Sequence, residues 1–442
     1  MPVVPFLTSY DPSDPPGGSI DPLGFERGYL FLADKILPGL TNVANRPRYF
    51  SVLCAGVSLA DAGVEGTPRE KLRRRLEHVL RLERFWALGN VLAAGLDGEE
   101  DLATQGLRGV RRASTVVEEL SAKGVRKTKG DFSLLSNQSR YGVVGIYGAV
   151  ADGLRFWDRR PMQLTPDLGD RLGSGFIQET AMPPELQRAV RDGGEVQLRT
   201  LREWGERAHL SARVTEAEAS CFADAAYREP LRARMLDLLE EFPWNEEESE
   251  VERLMRIAEG IEELSGDADI REAALAIVAY EECYALALLA FERLLYLCAS
   301  SAAGTVALGE VDRDEVLQAV CDRLPSAVGR LDAALDEATT SGFRDGIDRL
   351  LDVRGLLMIA AASEAPSMLA RTLLKRHQDV QHGKLDRGRR KTPWIENNDD
   401  RMALAMTRVG GLSVEPTSVD QIAAHPYRLG AADALIAAAR AR

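Results

Sequence analysis

Along most of the chain, apolar residues recur at intervals of three and four, the spacing that gathers them on one face of a helix. Leu72, Leu76, Val79, Leu80 and Leu82 form such a stripe behind Thr67-Pro68-Arg69-Glu70. That tetrapeptide is a start signal, with Thr as N-cap, Pro at the first helical position and an acid in the first turn, and it predicts a helix over 68–95. Two helices are expected over 23–62, broken near Pro38-Gly39 and Asn45-Arg46-Pro47, and another over 101–123 with Gly106 and Gly109 as weak points. From 183 to 303 the pattern is helix after helix. Within it, 267–301 is apolar nearly all round, the mark of a central buried helix. Amphipathic helices follow over 311–322, 325–339, 345–362 and 367–381, then a short strand over 402–408 and an Ala-rich helix over 429–442. In the 367–381 helix the periodicity turns Leu369, Leu373 and Val380 inward and Arg371, Lys375 and Arg376 outward.

Three local patterns depart from this rhythm. Residues 1–23 are rich in Pro and Gly, which predicts extended chain and turns strapped onto the protein's own body or onto a partner. Gly142, Gly145 and Gly148 recur every third residue, a smooth stripe on a helix where another backbone can approach, although Val143, Val144 and Ile146 also suit a strand. Glu281, Glu282 and Glu292 interrupt the central apolar helix; a buried carboxylate without a partner is costly, so each is expected to pair or to reach water.

With 442 residues the chain is too long for one ordinary core. The expected fold class is mainly α and multi-lobed, divided as 1–66, 67–180, 181–365 and 366–442. Hydrophobic content of 45% and charged content of 28% belong to a folded protein. A net charge of -13 argues against coating nucleic acid with the whole surface but leaves room for a local basic face. Five cysteines with no CxxC read as buried free thiols. Neither a signal-peptide pattern nor an apolar run of about 18 residues is present, so the expected location is the cytoplasm, without a membrane.

Charge is segregated. The stretch 371–396 is strongly basic and holds His377 and His382, two of five histidines. Gly383 is expected to end the helix there and 384–391 to form a flexible basic loop. Arg376, Lys384, Arg387, Arg389, Arg390 and Lys391 are the candidate contacts to phosphate or carboxylate, and Trp394 either stacks on a base or packs the loop down. Lys127 and Lys129, in a basic turn over 123–129, and Arg140 are further candidates. The arginines of 69–84 form either a solvated face with internal ion pairs or a phosphate-facing surface, with Glu70, Glu77 and Glu83 diluting the charge. His377 and His382 stand five apart, on different faces of a helix, and are poor joint metal ligands. No GxSxG, Walker A, HExxH or zinc pattern occurs, so no metal, cofactor or catalytic residue is assigned.

The order of a helix, a basic turn, helices and a short strand, then Leu164-Thr165-Pro166-Asp167-Leu168-Gly169-Asp170-Arg171-Leu172, resembles the wing-to-last-helix passage of bacterial winged-helix proteins, which often reads Leu-Thr-x-x-Gly-x-x-Leu. The resemblance covers about 75 residues and implies a recognition helix over 139–154, used for DNA or for protein contact. In general character the chain is similar to helical accessory proteins of bacterial anti-phage defence loci, which work beside nucleases, helicases or other ATPases. That similarity implies a cytoplasmic, non-catalytic subunit of a multi-protein assembly contacting DNA or RNA through the basic C-terminal loop. A subunit docking on an acidic protein partner, or an enzyme with a dispersed active site, are the alternatives.

Overall fold

Among the described residues, three α-helices begin on reciprocal capping boxes, in which an N-cap hydroxyl accepts the amide of the third helical residue and that residue's carboxylate accepts the N-cap amide: Thr67 with Glu70, Thr215 with Glu218, and Ser249 with Glu252. The computed structural model describes residues 21–61, 66–95, 104–261, 267–338, 347–386, 389–398, 400–405 and 414–441. The protein is mainly α, with short strands only among the described residues. These residues gather into two units: one joins the chain up to Ile36 with Phe242–Tyr427, the other joins Leu37–Glu241 with the chain from Arg428.

In chain order, α1 (Glu26–Ile36) belongs to the first unit. The second unit then takes α2 (Arg48–Asp61), α3 (Pro68–Ala94), α4 (Val110–Ala122), β1 (Lys127–Thr128), α5 (Gln138–Tyr141), α6 (Val143–Gly153), β2 (Trp157–Asp158), β3 (Gln163–Leu164), α7 (Gly169–Glu179), α8 (Pro184–Asp192), β4 (Val196–Gln197), α9 (Leu198–Ala208), α10 (Glu216–Ala226) and α11 (Pro230–Glu241). Its core packs α3 against α2 and α9, and α2 against α7. Strand β1 pairs antiparallel with β4, and β2 with β3. The chain returns to the first unit with α12 (Glu250–Gly260), α13 (Ala268–Ser300), β5 (Thr305–Ala307), α14 (Glu315–Ala338), α15 (Asp348–Ala361), α16 (Pro366–His382), β6 (Leu385–Asp386), β7 (Arg389–Arg390), β8 (Ile395–Asn398) and β9 (Arg401–Leu404). It ends in the second unit with α17 (Leu429–Arg440), packed on α10.

Helix α13 has the length and apolar character of a membrane span, yet 78% of its most apolar window is buried inside the protein, against α12, α14 and α1. Helix α14 runs unbroken through Pro325, where two helices are expected from the sequence. The imino acid removes one backbone donor, but Leu317, Leu324, Leu331 and Leu335 on either side are buried along one face, and that burial holds the helix together. The helix expected over 101–123 starts only at Val110. Gly109 adopts a left-handed conformation (φ 74°) that no helix can continue through.

Two expectations for the second unit are corrected by burial. The continuous helix over 139–154 is divided at Gly142 into α5 and α6. The glycine stripe admits the α5 backbone at two of its three positions, the Gln138 carbonyl at Gly142 and the Arg140 carbonyl at Gly145, and it also makes room for the Glu83 carboxylate at Gly142 and the Trp157 ring at Gly148. Glu83 itself lies within α3, 1% exposed, and does not dilute a solvated face. It accepts the Val143 amide (2.8 Å) and the Gln138 side-chain amide (2.7 Å), so it caps the start of α6. Burial pushes its carboxyl up to about 7.

The arginines of α3 are corrected in the same way. Arg75 reaches Asp61 (2.7 Å) and the Pro161 carbonyl (2.7 Å), Arg81 the Val190 carbonyl (2.5 Å), and Arg84 the Leu80 and Gly130 carbonyls (both 3.0 Å). A guanidinium fork satisfies orphan carbonyls at helix ends and loops while its stem packs on apolar surface. Arg73, outside this set, is exposed and lies 3.6 Å from Glu77.

Candidate functional site

The basic stretch over 371–396 is a clamp with a hairpin attached. Three consecutive carbonyls at the entry to α1 are each taken by a basic side chain from this stretch. Lys384 Nζ donates to Asp21 O (2.6 Å), His377 Nδ1 lies 3.0 Å from Pro22 O, and Arg376 Nε donates to Leu23 O (2.8 Å). The Asp21 carboxylate in turn accepts the amides of Gly24 and Glu26 (both 2.7 Å), which orders the turn into the helix. Arg376 also grips Asp352 of α15 with both terminal nitrogens (3.1 and 2.6 Å) and holds that carboxyl below its usual range.

His377 is fully buried and its tautomer follows from its partners. Nε2 accepts the Trp394 amide (2.8 Å), so the neutral ring carries its proton on Nδ1 and donates it to Pro22 O. The ring packs on Phe291 (4.7 Å between centroids) and on Trp394 (5.3 Å). Burial, with Lys384 nearby, depresses its ionisation to about 4 against the opposing bond from Pro22. An unfolded histidine titrates near 6.5, so the unfolded chain binds the extra proton first as pH falls. The contribution of neutral His377 is therefore complete above about pH 6.5, declines between about 6.5 and about 4, and changes no further below that. We expect His377→Gln, compared with wild type by urea denaturation at pH 7 and pH 4.5, to remove about 2 kcal/mol of the pH-dependent loss. An unchanged pH dependence in the variant would contradict this role.

Beyond the clamp, β6 and β7 pair antiparallel within the stretch expected to be a flexible loop. Leu385 pairs with Arg390 and Asp386 with Arg389, and the Lys391 amide closes on Lys384 O (3.1 Å). Arg387 and Gly388, between the strands, and the Arg389 side chain lie outside the described residues. Arg390 is exposed and Lys391 half-exposed. Trp394 is half-buried against His377 and Phe291, so its ring anchors the return from the hairpin. Arg371 is tied to Asp400 (2.8 Å), while Lys375 and His382 are exposed. Lys127, Lys129 and Arg140 belong to the other unit. All three are exposed there, Lys127 opposite Gln197 in the β1–β4 pair and Arg140 beside the Tyr141 ring.

The acids of α13 meet three different fates. Glu282 pairs with Arg330 (3.0 and 2.5 Å). Glu281 accepts the His425 amide (3.0 Å), His425 Nδ1 (2.9 Å) and the Tyr427 hydroxyl (2.5 Å). Tyr29 and Tyr284 flank the His425 ring at 4.7 and 4.1 Å. Glu292 is 3% exposed, and its Oε1 has no hydrogen-bond partner among the described residues. Burial pushes its carboxyl up to about 7, so the neutral acid, which avoids the cost of an unpaired charge, is well populated near neutrality. The Glu281–His425 pair spans 144 residues, and no local spacing announces it. The five cysteines are buried and free, as expected. Among the described residues no group of three or more His, Cys, Asp or Glu is placed to hold a metal ion. No family model, curated protein or solved structure matches the chain.

Proposed function

We propose that this protein is a helical adaptor, an accessory subunit that contacts the phosphate backbone of DNA or RNA through the β6–β7 hairpin. The observation carrying the reading is the division of labour within the basic stretch. Arg376, His377 and Lys384 are engaged inward and fix the root of the hairpin. Beyond its backbone pairing in the ladder, the Arg390 side chain is exposed and makes no hydrogen bond or ion pair with another described residue. A short strand pair on a fixed root presents the Arg390 guanidinium at little conformational cost, which suits a polyanion. Lys127 and Lys129 offer a second basic contact on the other unit. The similarity in character to accessory proteins of anti-phage loci fits a subunit working beside a nuclease, helicase or other ATPase.

Binding of the full chain to labelled duplex DNA, single-stranded DNA and RNA across a salt series tests this reading. The comparison is a variant with Arg387, Arg389, Arg390 and Lys391 all changed to Glu. The expected result is binding that falls steeply with salt, since each phosphate contact releases about one counterion, and that is lost in the variant. No binding by the wild-type chain at low salt would overturn the reading in favour of an acidic protein partner on the same hairpin.

A further inference from the structure

Helix α6 ends in a Schellman motif. The Phe156 amide closes on Ala151 O (2.8 Å) and the Arg155 amide on Asp152 O (3.0 Å). Arg155 occupies the left-handed position of that motif, at φ 63°, where glycine is the residue of least strain. Ala181 takes the corresponding position after α7, so a side chain is tolerated there and the strain alone argues nothing. What distinguishes Arg155 is its surroundings. The residue lines a cleft of about 600 Å³ within the second unit, and its exposed side chain makes no hydrogen bond or ion pair with another described residue. The Thr165 hydroxyl donates to the Arg155 carbonyl (2.6 Å) and fixes the backbone in this conformation.

The same cleft holds a second guanidinium that can be released. Arg228 is tied to Asp167 (2.5 Å), but both side chains are about half exposed (49% and 53%), and such surface pairs are weak and exchangeable. The other charged groups of the cleft are engaged. Glu229 accepts the amides of Arg232 (2.6 Å) and Leu231 (3.3 Å) at the start of α11, and the Arg232 guanidinium is bound to the carbonyls of Pro38, Ala225 and Ala226. Pro166 and Pro230 add apolar wall. The volume falls within the roughly 300–1,000 Å³ of small-molecule sites.

We propose that this cleft binds a small molecule with an oxyanion head, phosphate monoester or carboxylate, on an apolar body. Arg155 takes the head in its fork, Arg228 exchanges Asp167 for the same group, and the body lies against Pro166 and Pro230. The site is independent of the hairpin.

Calorimetric titration of the full chain with phenyl phosphate, phenylacetate and inorganic phosphate tests the proposal, with Arg155→Gly as the variant. Glycine suits the left-handed position, so the unliganded variant is expected to melt at the same or a higher temperature than wild type. Wild type is expected to bind phenyl phosphate or phenylacetate at one saturable site, and the stronger of the two identifies the head group. Arg155→Gly is expected to weaken that binding by about tenfold or more. Changing the four hairpin residues to Glu is expected to leave it unaltered. Failure of both aryl probes to bind wild type at millimolar concentration, equal binding by Arg155→Gly, or inorganic phosphate binding as tightly as phenyl phosphate would each overturn the proposal.

Discussion

Glu281→Ala is expected to cost the first unit about 4 kcal/mol, a large part of the stability of an ordinary domain. The carboxylate is 4% exposed and accepts three donors: the His425 amide, His425 Nδ1 and the Tyr427 hydroxyl. Alanine removes every acceptor at once and strands the Tyr427 hydroxyl, whose residue is fully buried. Glu281→Gln keeps one acceptor oxygen but introduces two N–H donors facing three others, so it is expected to lie between alanine and wild type. Urea denaturation, with hydrogen exchange across α13 and 414–427, measures the effect. A loss below about 1 kcal/mol for the alanine variant would contradict the network.

Gly205→Ala is expected to destabilise the second unit by about 3 kcal/mol or more, although it adds only one methyl group. Helices α3 and α9 cross backbone to backbone at Gly89 and Gly205. A Cβ on Gly205 would stand 2.1 Å from the Gly89 carbonyl oxygen and 2.6 Å from its carbon. Backbone cannot swing aside as a flexible side chain can, so the helices must separate and lose the packing of Trp86 and Trp204. Gly329→Ala on α14 is the control. Nothing lies within 4 Å of that position, and alanine there is expected to stabilise the helix by about 0.5–1 kcal/mol. Thermal melts of the two variants should move in opposite directions; parallel shifts would mean that helix propensity, not the crossing, governs Gly205.

What could be read from the chain was local. Thr67 with Glu70 marks the start of α3 because a cap is complete within four residues, and the Ala/Leu periodicity of 267–301 marks α13 because a helix buried on all sides must be apolar on all sides. The same reasoning placed the breaks near Pro38 and Pro47 and turned Leu369 and Leu373 inward. It failed where a polar side chain's partner lies far along the chain. Glu83 and the α3 arginines carry nothing in their own neighbourhood to say that Val143, Pro161 and Val190 will arrive beside them.

The candidate site follows the same division. The sequence by itself determined that 371–396 is basic, that its helix ends near Gly383 and that Trp394 was available as an anchor. Only the tertiary structure decided which basic side chains remain outward, because Arg376, neutral His377 and Lys384 are claimed by carbonyls more than 350 residues away. Charge is written residue by residue, whereas its use depends on which unsatisfied backbone groups the folded chain brings within reach.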